Sequence, residues 1–499
     1  MSAVLRTCAR PVSAAAARRT KPNGTCIPPR RYSSATPATA TAPLPLDGYR
    51  VLDMTRVLAG VAILHADSWR LGVSTLPSVH VPFYLPFPLR SHFHFHVRIE
   101  FQQPQFGYRP LADVGHTPFC SAEVIKIEHP VRGDDTRAWG PPYAAYKPES
   151  GVEGPGEAAY FLGANRNKKS VGLSFQHKGG VDILHKLVAK CDILVENYLP
   201  GTLKKYGMDY DTLRRINPAL IYASITGYGQ TGPYSNRAGY DVMVEAEFGL
   251  MHITGSRDGP PVKVGVAVTD LTAGLYTSNS IMAALLGRSR TGKGQHIDVA
   301  LSDCQTATLA NIASSCLVSG ERDTGRWGTA HPSIVPYRSF KTKDGDILFG
   351  GGNDRLFGVL CDGLGRPAWK DEAKFKTNPD RVANRVELEA EIEAISRTKK
   401  TQEWLDIFEG TGMPYAAVND VRDTLDHAHT KARNMVIEME HEACGPIKMV
   451  NTPVKFSESQ PAVRSAPPLL GQHTVEVLGE HLGLSESEIV GLKEQGIVS

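Results

Sequence analysis

The chain has 499 residues, of which 41% are hydrophobic and 21% charged, the balance of a soluble globular protein with room for two or three domains. Its formal charge is only +3 and its body holds no basic run, which argues against nucleic-acid binding. No stretch reaches the roughly 20 uninterrupted apolar residues of a membrane-spanning helix. Its eight cysteines (Cys8, Cys26, Cys120, Cys191, Cys304, Cys316, Cys361 and Cys444) lack CxxC or zinc spacing and read as a reduced-compartment set.

The first 46 residues carry Arg6, Arg10, Arg18, Arg19, Lys21, Arg30 and Arg31 but no Asp or Glu. With their Ser, Ala and Thr content they read as a mitochondrial transit peptide and linker over 1–45, cleaved between about Arg19 and Thr41. A large α/β domain is expected over 46–322, a smaller α+β domain over 323–440, and a C-terminal return to the large domain over 441–499. LDGYRVLDMTRVLAG (46–60) predicts a strand at Arg50–Met54, and AEVIKIEHP a second from Ala122. The 61 residues between them far exceed one βαβ crossover and have neither helical period nor clean alternation. This block reads as an insertion, chiefly 61–109 plus HTPFCS, of the kind an unspliced coding segment would leave. Within it His92, His94 and His96 share a strand face, but no acidic or cysteine partner stands near and no metal site is assigned.

Beyond Ala122 strands and helices alternate, which predicts a mainly parallel, doubly wound sheet. Strands fall at 124–128, 165–175, 193–196, 220–225 and 296–301, with a helix lined by Val181, Leu184, Leu187 and Val188. GYGQTGPYSNRAGYD (227–241) and VENYLPG (195–201) each follow a strand, at the edge where open α/β sheets bind ligands. In PPVKVGVAVTDLTAGLYTSNSIMAALLG (260–287), a β-branched run over Val262–Val268 gives way to a helix-spaced set, Leu271, Leu275, Met282 and Leu285. Asp270 stands at the switch and so near a helix N-terminus. There it serves either as a plain cap or as a carboxylate placed for chemistry, with unpaired N–H groups beside it to favour an oxyanion.

LDGYRVLDMTRVLAG, AEVIKIEHP, NRNKKS, DILVENYLPG, ITGYGQTGP, AGYD, VTDLTAG, TGKGQHIDVAL and PLLGQHT together resemble the class III CoA-transferase family, which includes formyl-CoA transferase and α-methylacyl-CoA racemase. RWGTAHPSIVPYRSFKTKDG resembles the branch acting on small dicarboxylates such as succinate, glutarate and hydroxymethylglutarate. The resemblance implies a catalytic aspartate at Asp270, whose G-x-x-x-x-D-x-x-x-G context is intact. It also implies CoA contacts at Leu58, Ala59, Asn197, Lys205 and Tyr240, and at His129, where the family commonly has Arg. Lys168 and Lys169 are candidate phosphate partners or plain surface lysines; Arg237 and Arg326 are candidate carboxylate clamps or structural ion pairs.

The resemblance further implies an interlinked homodimer that uses acyl-CoA and small carboxylic acids as substrates, with no tightly bound cofactor. A racemase of the same family is the alternative, but it carries His where this chain has Tyr240, and a phenol is a poor base near neutrality. An inactive acyl-CoA-binding relative is the other alternative.

Overall fold

The computed structural model describes residues 46–56, 122–459 and 461–499. Leu58, Ala59, the three histidines, the N-terminal segment and the whole 61–121 block lie outside them. Six strands form the main sheet: β1 (Arg50–Asp53), β2 (Glu123–Glu128), β3 (Lys168–Gly172), β4 (Ile193–Glu196), β5 (Ile221–Thr226) and β6 (His296–Ala300). Every pairing is parallel, and the spatial order is β3-β2-β1-β4-β5-β6. The order reverses where β1 meets β4, the switch point at which such sheets open a ligand crevice beyond their C-terminal ends.

Alternation along each strand feeds two cores. Leu52, Ile125, Val171, Leu194 and Tyr222 face α1 (Lys178–Val188) and α2 (Tyr210–Ile216). Val51, Val124, Val195, Ala223 and Ile225 face the other way, against α3 (Asp241–Glu247), α4 (Val268–Thr291) and α5 (Leu301–Thr308). The chain returns to the first face with α6 (Thr474–Leu482) and α7 (Glu486–Glu494), which add Val477, Leu478 and Ile489 to its core. Between α5 and α6 lies an antiparallel sheet of β7 (Tyr337–Lys341), β8 (Asp346–Gly350) and β9 (Tyr415–Ala417). Its separate core gathers Phe340, Phe349, Phe357, Trp404 and Phe408. A hairpin of β10 (Val436–His441) and β11 (Gly445–Val450) follows. Among the described residues no helix is long and apolar enough to cross a membrane.

Three local expectations are corrected. Val262–Val268 forms no strand; its alternation has no partner strand, and Val262 and Val266 stay exposed while two backbone N–H groups are satisfied by Thr254 O and Glu245 Oε2. α4 therefore starts at Val268, and Asp270 is its third residue rather than its cap. Of the expected apolar set on α4 only Leu285 is buried and Met282 half-buried, while Leu271 and Leu275 are exposed and Ala273, Gly274, Thr277, Ser278, Ile281 and Ala284 face inward beside Leu285. Small residues there let the helix axis approach the sheet closely. On α1 the inward residue is Ile183 in place of Val181, which is half-buried.

Candidate active site

The cap that Asp270 was expected to supply comes from Asp241, the last residue of the GYD motif. Asp241 Oδ2 accepts the N–H of Thr269 at 2.8 Å and of Asp270 at 3.1 Å, while Leu271 N–H bonds Ala267 O. The N-terminal amides are thus already used, which corrects the expectation that they stand ready for an oxyanion; the dipole remains. Thr269 Oγ donates to Gln305 Oε1 at 2.6 Å and pins the first turn to α5. Relieved of capping, the Asp270 carboxylate has no hydrogen-bond or ion-pair partner among the described residues and lines an open hollow. Burial, and then the charge of Asp241, push its pKa up to about 7. Glu245, fully buried behind Asp241, is also raised, first by burial. Three carboxyl groups therefore crowd one helix end, and the raised pKa makes Asp270 a candidate for chemistry.

Asp241 is brought there by a contact only glycines allow. A Cβ on Gly227 would lie 2.8 Å from Gly239 Cα, and one on Gly239 3.0 Å from Gly227 Cα. The returning AGYD segment can therefore lie directly on the end of β5. Tyr240, at the N-terminal boundary of α3, lines the Asp270 hollow together with Arg56, Asn197, Tyr198 and Leu301. That hollow measures about 280 Å³.

A second hollow, also of about 280 Å³, shares Arg56, Asp135 and Tyr198 with the first and runs on to His129, Arg132 and Lys205. Arg132 and Lys205 have no carboxylate partner among the described residues, and Lys205 Nζ lies 4.8 Å from the Tyr206 ring centre. His129 Nδ1 accepts the N–H of Val131 at 3.2 Å, which leaves its Nε2 side as the donor. Phe175 packs edge-on against Tyr198 and Tyr206, with ring centres 5.7 and 5.2 Å away. One end of the double hollow thus holds a carboxylate with a raised pKa, and the other holds cations beside aromatic rings.

The predicted residues sort accordingly. Asp270, Asn197, Tyr240, His129 and Lys205 all line the two hollows. Asn197 spends its amide on the main chain of Arg56: its Oδ1 accepts the Arg56 N–H at 2.9 Å and its Nδ2 donates to Arg56 O. Lys168 is corrected, because it is fully buried with Nζ 2.9 Å from Asp53 Oδ2. It belongs to an ionic cluster under the site, in which Lys126 Nζ pairs with Asp134 at 2.8 Å and donates to Thr55 O at 2.9 Å. Burial alone would raise Asp53, yet Lys168 and Lys126 hold it below the usual carboxylate range. Lys169 is taken by Glu123 and Glu476.

Arg237 pairs with Glu247 at 2.8 Å, and Arg326 donates to the carbonyls of Gly259 and His252; neither lines the Asp270 hollow. Sequence reasoning missed Arg56, Arg132, Asp241 and Glu245. Arg56 and Asp241 stood inside quoted motifs, and a search for charged residues just beyond strand ends would have found Arg56.

An open parallel α/β sheet with an unpartnered, buried aspartate beside a long cleft at its switch point is the framework of a ligand-binding α/β enzyme. The chain belongs to CoA-transferase family III, whose model matches residues 105–474, and it is a CoA-transferase. It is 42% identical over 454 residues to succinyl-CoA:glutarate CoA-transferase of Mus musculus, covering 91% of this chain and 90% of that one. It is 41% identical to succinate–glutarate CoA-transferase of Agrobacterium fabrum, over 74% of this chain and 90% of that one. A solved CAIB/BAIF family protein from Brucella suis superposes with a TM-score of 0.70 at 36% identity, covering 88% of this chain and 99% of that one.

Proposed function

We propose that this enzyme moves CoA between small dicarboxylic acids, succinyl-CoA to glutarate or hydroxymethylglutarate among them, with Asp270 as the covalent carrier. The observation that carries the reading is the unpartnered Asp270 carboxylate at one end of a cleft whose other end is cationic and aromatic. The names of the dicarboxylate-using relatives support the choice of acids.

In this reading an Asp270 oxygen attacks the donor thioester carbonyl, the C–S bond breaks, and CoA thiolate leaves an acyl–aspartyl anhydride. The thiolate then attacks the aspartyl carbonyl, giving an aspartyl–CoA thioester and free donor acid. The acceptor carboxylate attacks that thioester, and the thiolate, released again, takes the acceptor acyl group from the second anhydride and frees Asp270. Each intermediate is hydrolysable, so the burial of Asp270 serves to limit water. CoA would lie with its sulfur at Asp270 and its phosphates near His129, Arg132 and Lys205, the adenine against Phe175 or Tyr206. Incubation with succinyl-CoA and a panel of acids should yield glutaryl-CoA by mass. Release of free CoA alone, with no new acyl-CoA from any acid, would overturn the reading.

The homodimer and the mitochondrial location belong to the same proposal. They are supported by the exposed apolar side chains on α4 (Leu271, Leu275, Tyr276 and Leu286) and by the acid-free N-terminus. The organelle form should begin between Arg19 and Thr41 and sediment as a dimer; an intact Met1, or an active monomer, would count against each in turn.

A further inference from the structure

A dicarboxylate carries a second charge that an ordinary acyl group lacks, and an enzyme that prefers it needs a cation within reach of the reacting carboxylate. Arg237 and Arg326 are committed elsewhere. Among the described residues lining the Asp270 hollow, Arg56 is the one basic side chain. We propose that Arg56 binds the far carboxylate of the acyl group and so sets the preference for dicarboxylates; this rests on the transfer reading above.

Three features fit Arg56 for that task. Its main chain is fixed, by Asn197 on both its N–H and its C=O, and by Lys126 on the carbonyl of the preceding Thr55. Its guanidinium is oriented, with its carbon 4.9 Å from the Tyr198 ring centre. Stacking of that kind occupies the face of the group and leaves its in-plane N–H donors, the ones that grip a carboxylate with two parallel bonds, directed outward. Finally, those donors are barely used among the described residues: one long contact reaches Asp135, at 3.5 Å between two half-exposed side chains, and the enclosed Nε has no partner there. Asp135 thus acts as a resident counter-anion that a substrate carboxylate displaces. Exchange of one carboxylate for another leaves the charge of the hollow balanced, so the guanidinium never stands alone.

The test compares succinyl-CoA with butyryl-CoA, a donor of equal chain length without the far charge, against one fixed acceptor in the full-length protein. The ratio of their kcat/KM values isolates the donor's second carboxylate. Arg56→Gln should lower that ratio roughly 10- to 100-fold, the worth of one charge-assisted hydrogen bond, while the calorimetric Kd for free CoA stays unchanged. Arg56→Lys, which keeps the charge but loses the fork, should fall between. Asp135→Asn removes the competing anion and should raise kcat/KM for succinyl-CoA about two- to fivefold.

A parallel loss for both donors with weakened CoA binding would overturn the proposal and place Arg56 on the CoA chain. An unchanged ratio would overturn it too. Should Arg56→Gln fail to fold, Arg56→Lys and Asp135→Asn decide between the same outcomes. Failure of the wild type to transfer CoA at all would instead defeat the transfer reading, so the two failures are told apart.

Discussion

Asp270→Asn should fold, bind acyl-CoA and turn over slower by roughly three to six orders of magnitude, the range seen when a nucleophile is removed from an otherwise intact site. Asn cannot form the anhydride, and because Asp241 is what caps α4, the helix loses nothing. Asp270→Glu should fail as well, since one methylene displaces the reacting oxygen by about 1 Å in a geometry with little slack. Two pH dependences accompany this. The attacking form is the carboxylate, so wild-type kcat/KM should climb as pH rises through about 7 and then level.

Stability runs the other way. A carboxyl with a folded pKa above its unfolded 3.8 binds more protons folded than unfolded between 3.8 and about 7, so wild-type stability falls with pH across that window. Asn removes this penalty, which amounts to about 1.4 kcal/mol for each tenfold difference in proton affinity between the folded and unfolded chain. The variant should therefore melt higher than wild type at pH 8, with the gap closing toward pH 4. Hydroxylamine trapping of the acyl-enzyme followed by peptide mapping gives the direct check: a label on another carboxylate, or an Asn variant with full activity, would remove Asp270 from the mechanism.

The second large effect is on stability alone. Lys168→Met should cost about 3–5 kcal/mol, because it removes the ion-pair partner of the buried Asp53 charge and leaves only Lys126, itself paired with Asp134, to offset it. In the double variant Asp53→Asn/Lys168→Met much of that loss should return, since the uncompensated charge is gone. Urea unfolding of the three variants measures both. If Lys168→Met unfolds like wild type but binds CoA poorly, the residue touches phosphate after all.

How the sequence reads at this site depends on what kind of pattern carried each residue. The sheet was legible because its strands are short apolar runs, and from β3 onward helices alternate with them. Asp270 was found for a partly wrong reason: the β-branched run before it looks like a strand, and only the absence of a partner makes it a loop. Lys168 and Lys169 alternate across β3, so one had to point inward, but period two does not say which face hides a carboxylate such as Asp53. Asp241 was hidden by long range: its role is to cap a helix that begins 27 residues later in the chain, brought near by Gly227 and Gly239 lying against each other. Arg56 was passed over for a similar reason, as its fixing residue, Asn197, is 141 positions away.

Residues 497–499 lie along the outer edge of the main sheet. Ser499 N–H bonds Gly172 O, Val498 bridges Leu173, and Ile497 O takes the N–H of Ser174, so the last three residues seal the edge of β3. Val477, Leu478, Ile489, Ile497 and Val498 fill the core beneath it. Those residues act as a staple, fastening a strand laid down early in the chain to the helical pair α6 and α7 laid down late. Val498→Asp should therefore unfasten the staple and lower the urea midpoint; a variant that unfolds like wild type would show that α6 and α7 hold β3 without it.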